Sequence, residues 1–88
     1  MGALVKKVEI YTTPICPYCH AAKSLLDSKQ IAYVEIEVGM DTQRRQQMEV
    51  RAGGQSTVPQ IFIADKHIGG CTELYALDEN GQLDTLLS

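Results

Sequence analysis

Cys16 and Cys19, separated by two residues, are the side chains in this sequence best suited to do chemistry. Disulfides are attacked by a thiolate, not by a thiol. The pair follows a β-type stretch, Val8-Glu9-Ile10-Tyr11-Thr12, and precedes a helical pattern, Ala21-Ala22-Lys23-Ser24-Leu25-Leu26. A helix N-terminus offers unpaired N–H groups and the positive end of the dipole, so it favours negative charge on sulfur. Cys16 is therefore expected to be a nucleophile held as thiolate. Pro17 suits the first helical position, where its missing N–H costs nothing. This leaves Cys16 just outside the helix, expected to be exposed, with Cys19 on the same face. Residues three apart on a helix have Cβ atoms roughly 5–6 Å apart. A disulfide wants about 3.5–4.5 Å, so a small adjustment closes the bond. The pair is expected to cycle between dithiol and disulfide, with Cys19 as the resolving thiol of higher pKa. A structural disulfide or half of a zinc site uses the same spacing; the βαβ pattern around the pair favours redox chemistry.

A metal-binding alternative has its own pattern. Cys16, Cys19, His67 and Cys71 give C-x2-C…H-x3-C, a set of tetrahedral zinc ligand types. Against it, zinc pairs usually sit on turns, and Pro17 starts a helix. A [2Fe–2S] cluster bridging two chains through Cys16 is the related option, and Pro17 stiffens the backbone against it.

The whole chain narrows the class. Eighty-eight residues predict one domain, with residues 1–4 a ragged start. Apolar residues make up 44%, ordinary for a globular protein. The formal charge is −3, with no basic run beyond Lys6-Lys7 and Arg44-Arg45, which argues against nucleic acid as a partner. No stretch approaches the roughly 20 apolar residues of a membrane helix, and no signal peptide is visible. Three cysteines cannot all pair within the chain. A cytoplasmic thiol protein is expected.

The elements that must position the cysteines read as follows. Val8–Thr12 is a strand with Val8 and Ile10 on one face, Glu9 and Tyr11 on the other. The first helix carries Ala21, Ala22, Leu25 and Leu26 on its apolar stripe and closes at Lys29-Gln30. A second strand alternates Val34, Ile36 and Val38 against Tyr33, Glu35 and Glu37, and a parallel crossover is predicted. Gly39 breaks it. Asp41 or Thr42 caps a surface helix over Gln43 to Ala52, with a thin apolar face of Met48, Ala52 and Val50. Gln60-Ile61-Phe62-Ile63-Ala64 reads as a strand buried on both faces. Asp65-Lys66 turns the chain into a short strand at His67-Ile68. Gly69-Gly70 opens a third helix over Thr72 to Leu77, and Leu83, Leu86 and Leu87 of a last short helix dock onto the core. The order is β-α-β-α-β-β-α with a helical tail, a small α/β sandwich.

Cys16-Pro17-Tyr18-Cys19, Thr57-Val58-Pro59-Gln60-Ile61-Phe62-Ile63 and His67-Ile68-Gly69-Gly70-Cys71 together resemble the three signatures of dithiol glutaredoxins of bacterial type. The match spans Val8 to Leu87. The resemblance implies a thioredoxin-like fold with a four-stranded mixed sheet in order 2-1-3-4. It implies a monomeric oxidoreductase that reduces protein disulfides and glutathione mixed disulfides, with glutathione as co-substrate and no bound cofactor. Ribonucleotide reductase is an expected protein partner. The resemblance also implies a cis bond before Pro59, with the Val58 backbone pairing an extended tripeptide. Gly69-Gly70 and the helix start at Cys71-Thr72 would receive the γ-glutamyl end. Tyr18, Thr57, Val58, Pro59, Gly70, Cys71 and Thr72 are thus the expected glutathione contacts. Plain structural roles stand beside these: a turn proline, a strand-to-helix turn, an N-cap Thr72 and a half-buried apolar Cys71. His20 is read as solvent-facing, His67 as a strand residue and Arg44-Arg45 as a solvated face.

The sequence departs from the family in two places. A lysine usually stands two or three residues before the nucleophile, and a basic residue often precedes the Thr-Val-Pro. Here Thr13-Pro14 and Ser56 occupy those places. Both family cations would hold the glycyl carboxylate of glutathione, and Gln46, Gln47 or Arg51 are the candidate substitutes.

Overall fold

The alternation in the first strand sorts the whole molecule into two faces. The computed structural model describes residues 6–87, so the expected ragged start lies outside the described residues. Its elements are β1 (Val8–Thr12), α1 (Pro17–Ser28), β2 (Val34–Glu37), α2 (Thr42–Arg51), β3 (Gln60–Ile63), β4 (Lys66–Gly69), α3 (Cys71–Glu79) and α4 (Gln82–Leu87). The sheet order is β2-β1-β3-β4. β1 runs parallel to β2 and antiparallel to β3, and β3 runs antiparallel to β4. This is the predicted topology.

Val8 and Ile10 point into the larger core with Ile61 and Ile63. There they meet Ala22 and Leu26 of α1, Leu74 of α3, and Leu83 and Leu87 of α4. Tyr11 and Phe62 point to the other face, where Val38, Met48 and Ala52 cover them. β3 is buried along its whole length, as its unbroken apolar run requires. The C-terminus of α1 closes as a Schellman motif. Ile31 N–H donates to Leu26 O and Gln30 N–H to Asp27 O, each at 2.9 Å, with Gln30 at φ 59°. Asp41, not Thr42, caps α2 by accepting from Arg44 N at 3.1 Å.

Three expectations about the elements are corrected. Val34 is half-exposed: β2 is the sheet edge, and Tyr33 and Ile36 pack on the cores instead. Val50 is 82% exposed, because the buried stripe of α2 runs through Met48 and Ala52, four residues apart. The β3–β4 turn falls on Ala64-Asp65, at φ 50° and 67°, one residue earlier than predicted. Hairpin twist selects positive φ at both central residues, and that requirement outweighs the poor fit of alanine to it. No helix among the described residues is long and apolar enough to cross a membrane.

Candidate functional site

β1 ends at Thr12, and four residues later Cys16 stands as the N-cap of α1 with extended backbone. Its Sγ accepts the Cys19 amide N–H at 3.1 Å. Sulfur thus takes the place of the capping oxygen found at most helix starts. On its other side Cys16 Sγ lies 3.7 Å from the Val58 carbonyl oxygen. Held between these groups, Cys16 is only 9% exposed. That corrects the expectation of an exposed sulfur: the covering loop comes from 42 residues away, and helix geometry alone says nothing about it. Cys19 is fully buried. Burial, and then the hydrogen bond with Cys16, push the Cys19 thiol up to about 12. The two are free thiols, both buried, Cys16 at the helix start and Cys19 one turn beneath it.

The loop over Cys16 is fastened by polar groups. Val58-Pro59 is a cis bond. Gln60, buried at the head of β3, donates from Nε2 to Thr57 O at 3.0 Å and to Thr57 Oγ1 at 3.3 Å. Its Oε1 lies 2.6 Å from His67 Nε2. Arg45 reaches the carbonyls of Gly39 at 3.5 Å and Ser56 at 3.4 Å, so it is a loop anchor and not part of a solvated face.

Opposite, β4 turns into α3 through Gly69 and Gly70. Gly69 has φ +122°, and a Cβ there would lie 2.8 Å from Glu73 Cγ. A Cβ on Gly70 would come within 3.2 Å of the Pro59 carbonyl. The glycines thus let the α3 start close onto the proline loop. Gly70 N–H donates to Glu73 Oε1 at 2.7 Å, which makes Gly70 the N-cap and places Thr72 inside the helix. Cys71 is half-buried against the larger core, and burial raises its thiol pKa.

These segments enclose a cleft of about 170 Å³ lined by Tyr18, Thr57, Val58, Pro59, Gly70, Cys71, Thr72 and Glu73. All seven positions expected to meet glutathione come together there. Gln46, Gln47 and Arg51 do not line it. They border a larger hollow, of about 610 Å³, with Tyr11, Gln43 and Val50. Arg51 is also committed elsewhere, to Glu9 at 2.9 Å and Tyr11 at 2.8 Å. Among the described residues the cleft therefore has one charged lining residue, Glu73, and no cation. His20 is exposed, with Nε2 3.3 Å from the Pro14 carbonyl oxygen.

The zinc set is not assembled. Among the described residues no three of His, Cys, Asp and Glu gather as a metal site. His67 is held by Gln60 and packs on the Phe62 ring, centroids 5.1 Å apart.

Gln60, Glu73 and Arg45 were missed as site residues. A lone polar residue at the head of the apolar run of β3 was a signal for Gln60, since a buried amide needs partners. Glutamate three residues after Gly70 was a signal for a cap. Nothing local marked Arg45.

Comparison with known proteins gives one answer. The Glutaredoxin family model matches residues 8–68. Glutaredoxin 3 of Escherichia coli (strain K12) is 52% identical over 80 residues, 91% of this chain and 95% of its own. Among solved structures, glutaredoxin from Brucella melitensis superposes with TM-score 0.84 at 45% identity, over 99% of this chain and 94% of that one. A buckwheat glutaredoxin–glutathione complex gives 0.82 at 32% identity, over 93% and 76%.

Proposed function

The chain belongs to the glutaredoxin family and is a glutathione-dependent thiol–disulfide oxidoreductase; from that premise we propose that Cys16 is its nucleophile and Cys19 its resolving thiol. The observation that carries this is the Cys16 sulfur itself, bonded to a helix-start amide and facing the Val58 carbonyl at the edge of the cleft. Cys16 attacks a mixed disulfide between a protein and glutathione and expels the protein thiol. Cys16 is left glutathionylated, and a second glutathione frees it. With a protein disulfide, Cys19 opens the intermediate and the Cys16–Cys19 bond forms. Glutathione lies in the cleft, its backbone paired with Val58 as an added strand, near Tyr18, Thr57, Pro59, Gly70, Cys71 and Thr72. A glutathione complex of a 32% identical buckwheat glutaredoxin supports glutathione as the ligand. We read residues 1–88 as one such domain, acting as a cytoplasmic monomer on glutathionylated or disulfide-containing proteins, ribonucleotide reductase among them.

The electron donor tests this. Mixed-disulfide reduction is expected to run with glutathione and its recycling enzyme, and slowly with a flavoprotein thioredoxin-type reductase alone. The reverse preference would overturn it.

The missing cation gives a second measurement. Thr13→Lys adds positive charge at one of the family's lysine positions. A partly exposed ion pair is worth about 0.2–1 kcal/mol, so the glutathione KM is expected to fall roughly 1.4- to fivefold at low salt. The gain should fade toward 0.5 M salt. An unchanged KM at low salt would show that the glycyl carboxylate lies elsewhere.

A further inference from the structure

Lys23 stands one turn beyond Cys19 on α1, so the two side chains share a helix face. It is no free surface lysine. Its side chain is 21% exposed, and its Nζ donates to Glu35 Oε2 at 2.9 Å. The same oxygen accepts from Thr12 Oγ1 at 2.7 Å, and Thr12 is buried. The end of β1, the middle of β2 and the second turn of α1 therefore converge on one carboxylate, which anchors the ammonium of a residue on the same helix face as the buried cysteine. The lysine charge favours the Cys19 thiolate, and that thiolate favours the charged lysine.

We propose that Lys23, anchored by Glu35 and Thr12, is a positioning residue for the resolving step, offsetting the negative charge that develops on the Cys19 sulfur. In that step Cys19 loses its proton and its sulfur attacks Cys16 Sγ. The Cys16–Cys19 bond forms, and the bond from Cys16 to the substrate sulfur breaks. That bond's electron pair leaves with the substrate sulfur, which takes up a proton and departs as thiol. The two protein sulfurs end oxidised and the substrate disulfide reduced. Burial makes charge on Cys19 costly, and the Cys19 thiol sits at about 12, so a fixed cation at this point has something to act on. Cys16-only chemistry never charges Cys19 and gains nothing from Lys23. The inference rests on Cys19 being the resolving thiol.

The test reads two reactions on the same full-length preparations: single-turnover release of glutathione from Cys16-glutathionylated protein by Cys19, and glutathione-driven turnover of a small mixed disulfide. Lys23→Met is expected to slow the first roughly three- to tenfold and to leave the second within about twofold, which also reports folding. Lys23→Arg restores the first. Glu35→Gln, which loosens the anchor, falls between. The pH at which release accelerates moves upward in Lys23→Met. Cys16, Tyr33 and His20, the other ionisable groups acting on this cluster, remain in each variant. Parallel loss of both reactions, or an unchanged release rate, overturns the inference. If Cys19→Ser still reduced protein disulfides at the wild-type rate, the resolving role itself would fail first.

Discussion

Cys16→Ser is expected to remove every thiol–disulfide activity, by roughly a thousandfold or more, whereas Cys19→Ser removes only part. The asymmetry follows from where the two sulfurs sit. Cys16 Sγ receives an amide hydrogen bond at the helix start and lies 3.7 Å from the carbonyl of Val58, which lines the cleft, so of the two sulfurs it is the one beside the cleft. A serine hydroxyl in that place keeps the cap and loses the nucleophile. Cys19 is sealed beneath, with its thiol raised by burial, so it cannot meet a substrate directly. Its partner is Cys16, three residues back on the same face. Cys19→Ser should therefore retain deglutathionylation, which needs one sulfur and free glutathione. It should lose reduction of protein disulfides, which needs the second. The check is a paired assay of both substrates on the wild type and both variants. Equal loss in the two variants would refute the division of labour.

Local pattern made part of this arrangement legible. Pro17 after Cys16 announces a helix start, and the unbroken run from Ile61 to Ile63 announces a central strand; neither depends on distant residues. Met48 and Ala52 of the expected apolar face of α2 are buried, whereas Val50, placed on that face with them, is exposed. Long-range choices were not legible. Val34 alternates correctly and is still half-exposed, because only its place at the sheet edge decides its cover. Cys16 looks exposed from the helix alone and is covered by a loop 42 residues on. The hairpin turn shifted by one residue because strand register fixed its position, whatever residue stood there. In the site, the residues by themselves argued only for the cysteine pair. The cleft around them came from resemblance, since nothing in the spacing of Tyr18, Thr57 and Thr72 brings them together. Arg51 was offered as a glutathione contact because its charge was visible and its partners were not.

Those partners give Arg51→Met a large structural effect. Its guanidinium donates to Glu9 Oε1 at 2.9 Å and to Tyr11 Oη at 2.8 Å, and lies 4.1 Å from the Phe62 ring centroid. Glu9 is 12% exposed, so removing the arginine leaves a nearly buried carboxylate whose one remaining cation among the described residues is Lys7, at 3.7 Å. Asp65, mostly exposed, adds little to the arginine's hold. Stranding the carboxylate is expected to cost about 2–3 kcal/mol at pH 7, or roughly 8–24 °C in Tm for a chain of this size. The pH dependence has a definite sign. The Arg51 hydrogen bond holds the Glu9 carboxyl below its ordinary value of 4.5. Its contribution is fully present above that value and is lost as pH falls through the depressed one. In Arg51→Met, burial acts without the arginine and favours the neutral acid, so the variant loses less on acidification. The gap between the two proteins should therefore be widest near neutrality and narrow below about pH 4. Adding Glu9→Gln to the variant should recover part of the loss, since no charge is then stranded. Thermal melts across pH 3–8 measure all of this. Because Arg51 lies outside the cleft, the glutathione KM measured well below the variant's melting point should match the wild type. A raised KM with an unshifted melt would return Arg51 to the ligand and remove it from the clamp that fastens α2 to the sheet.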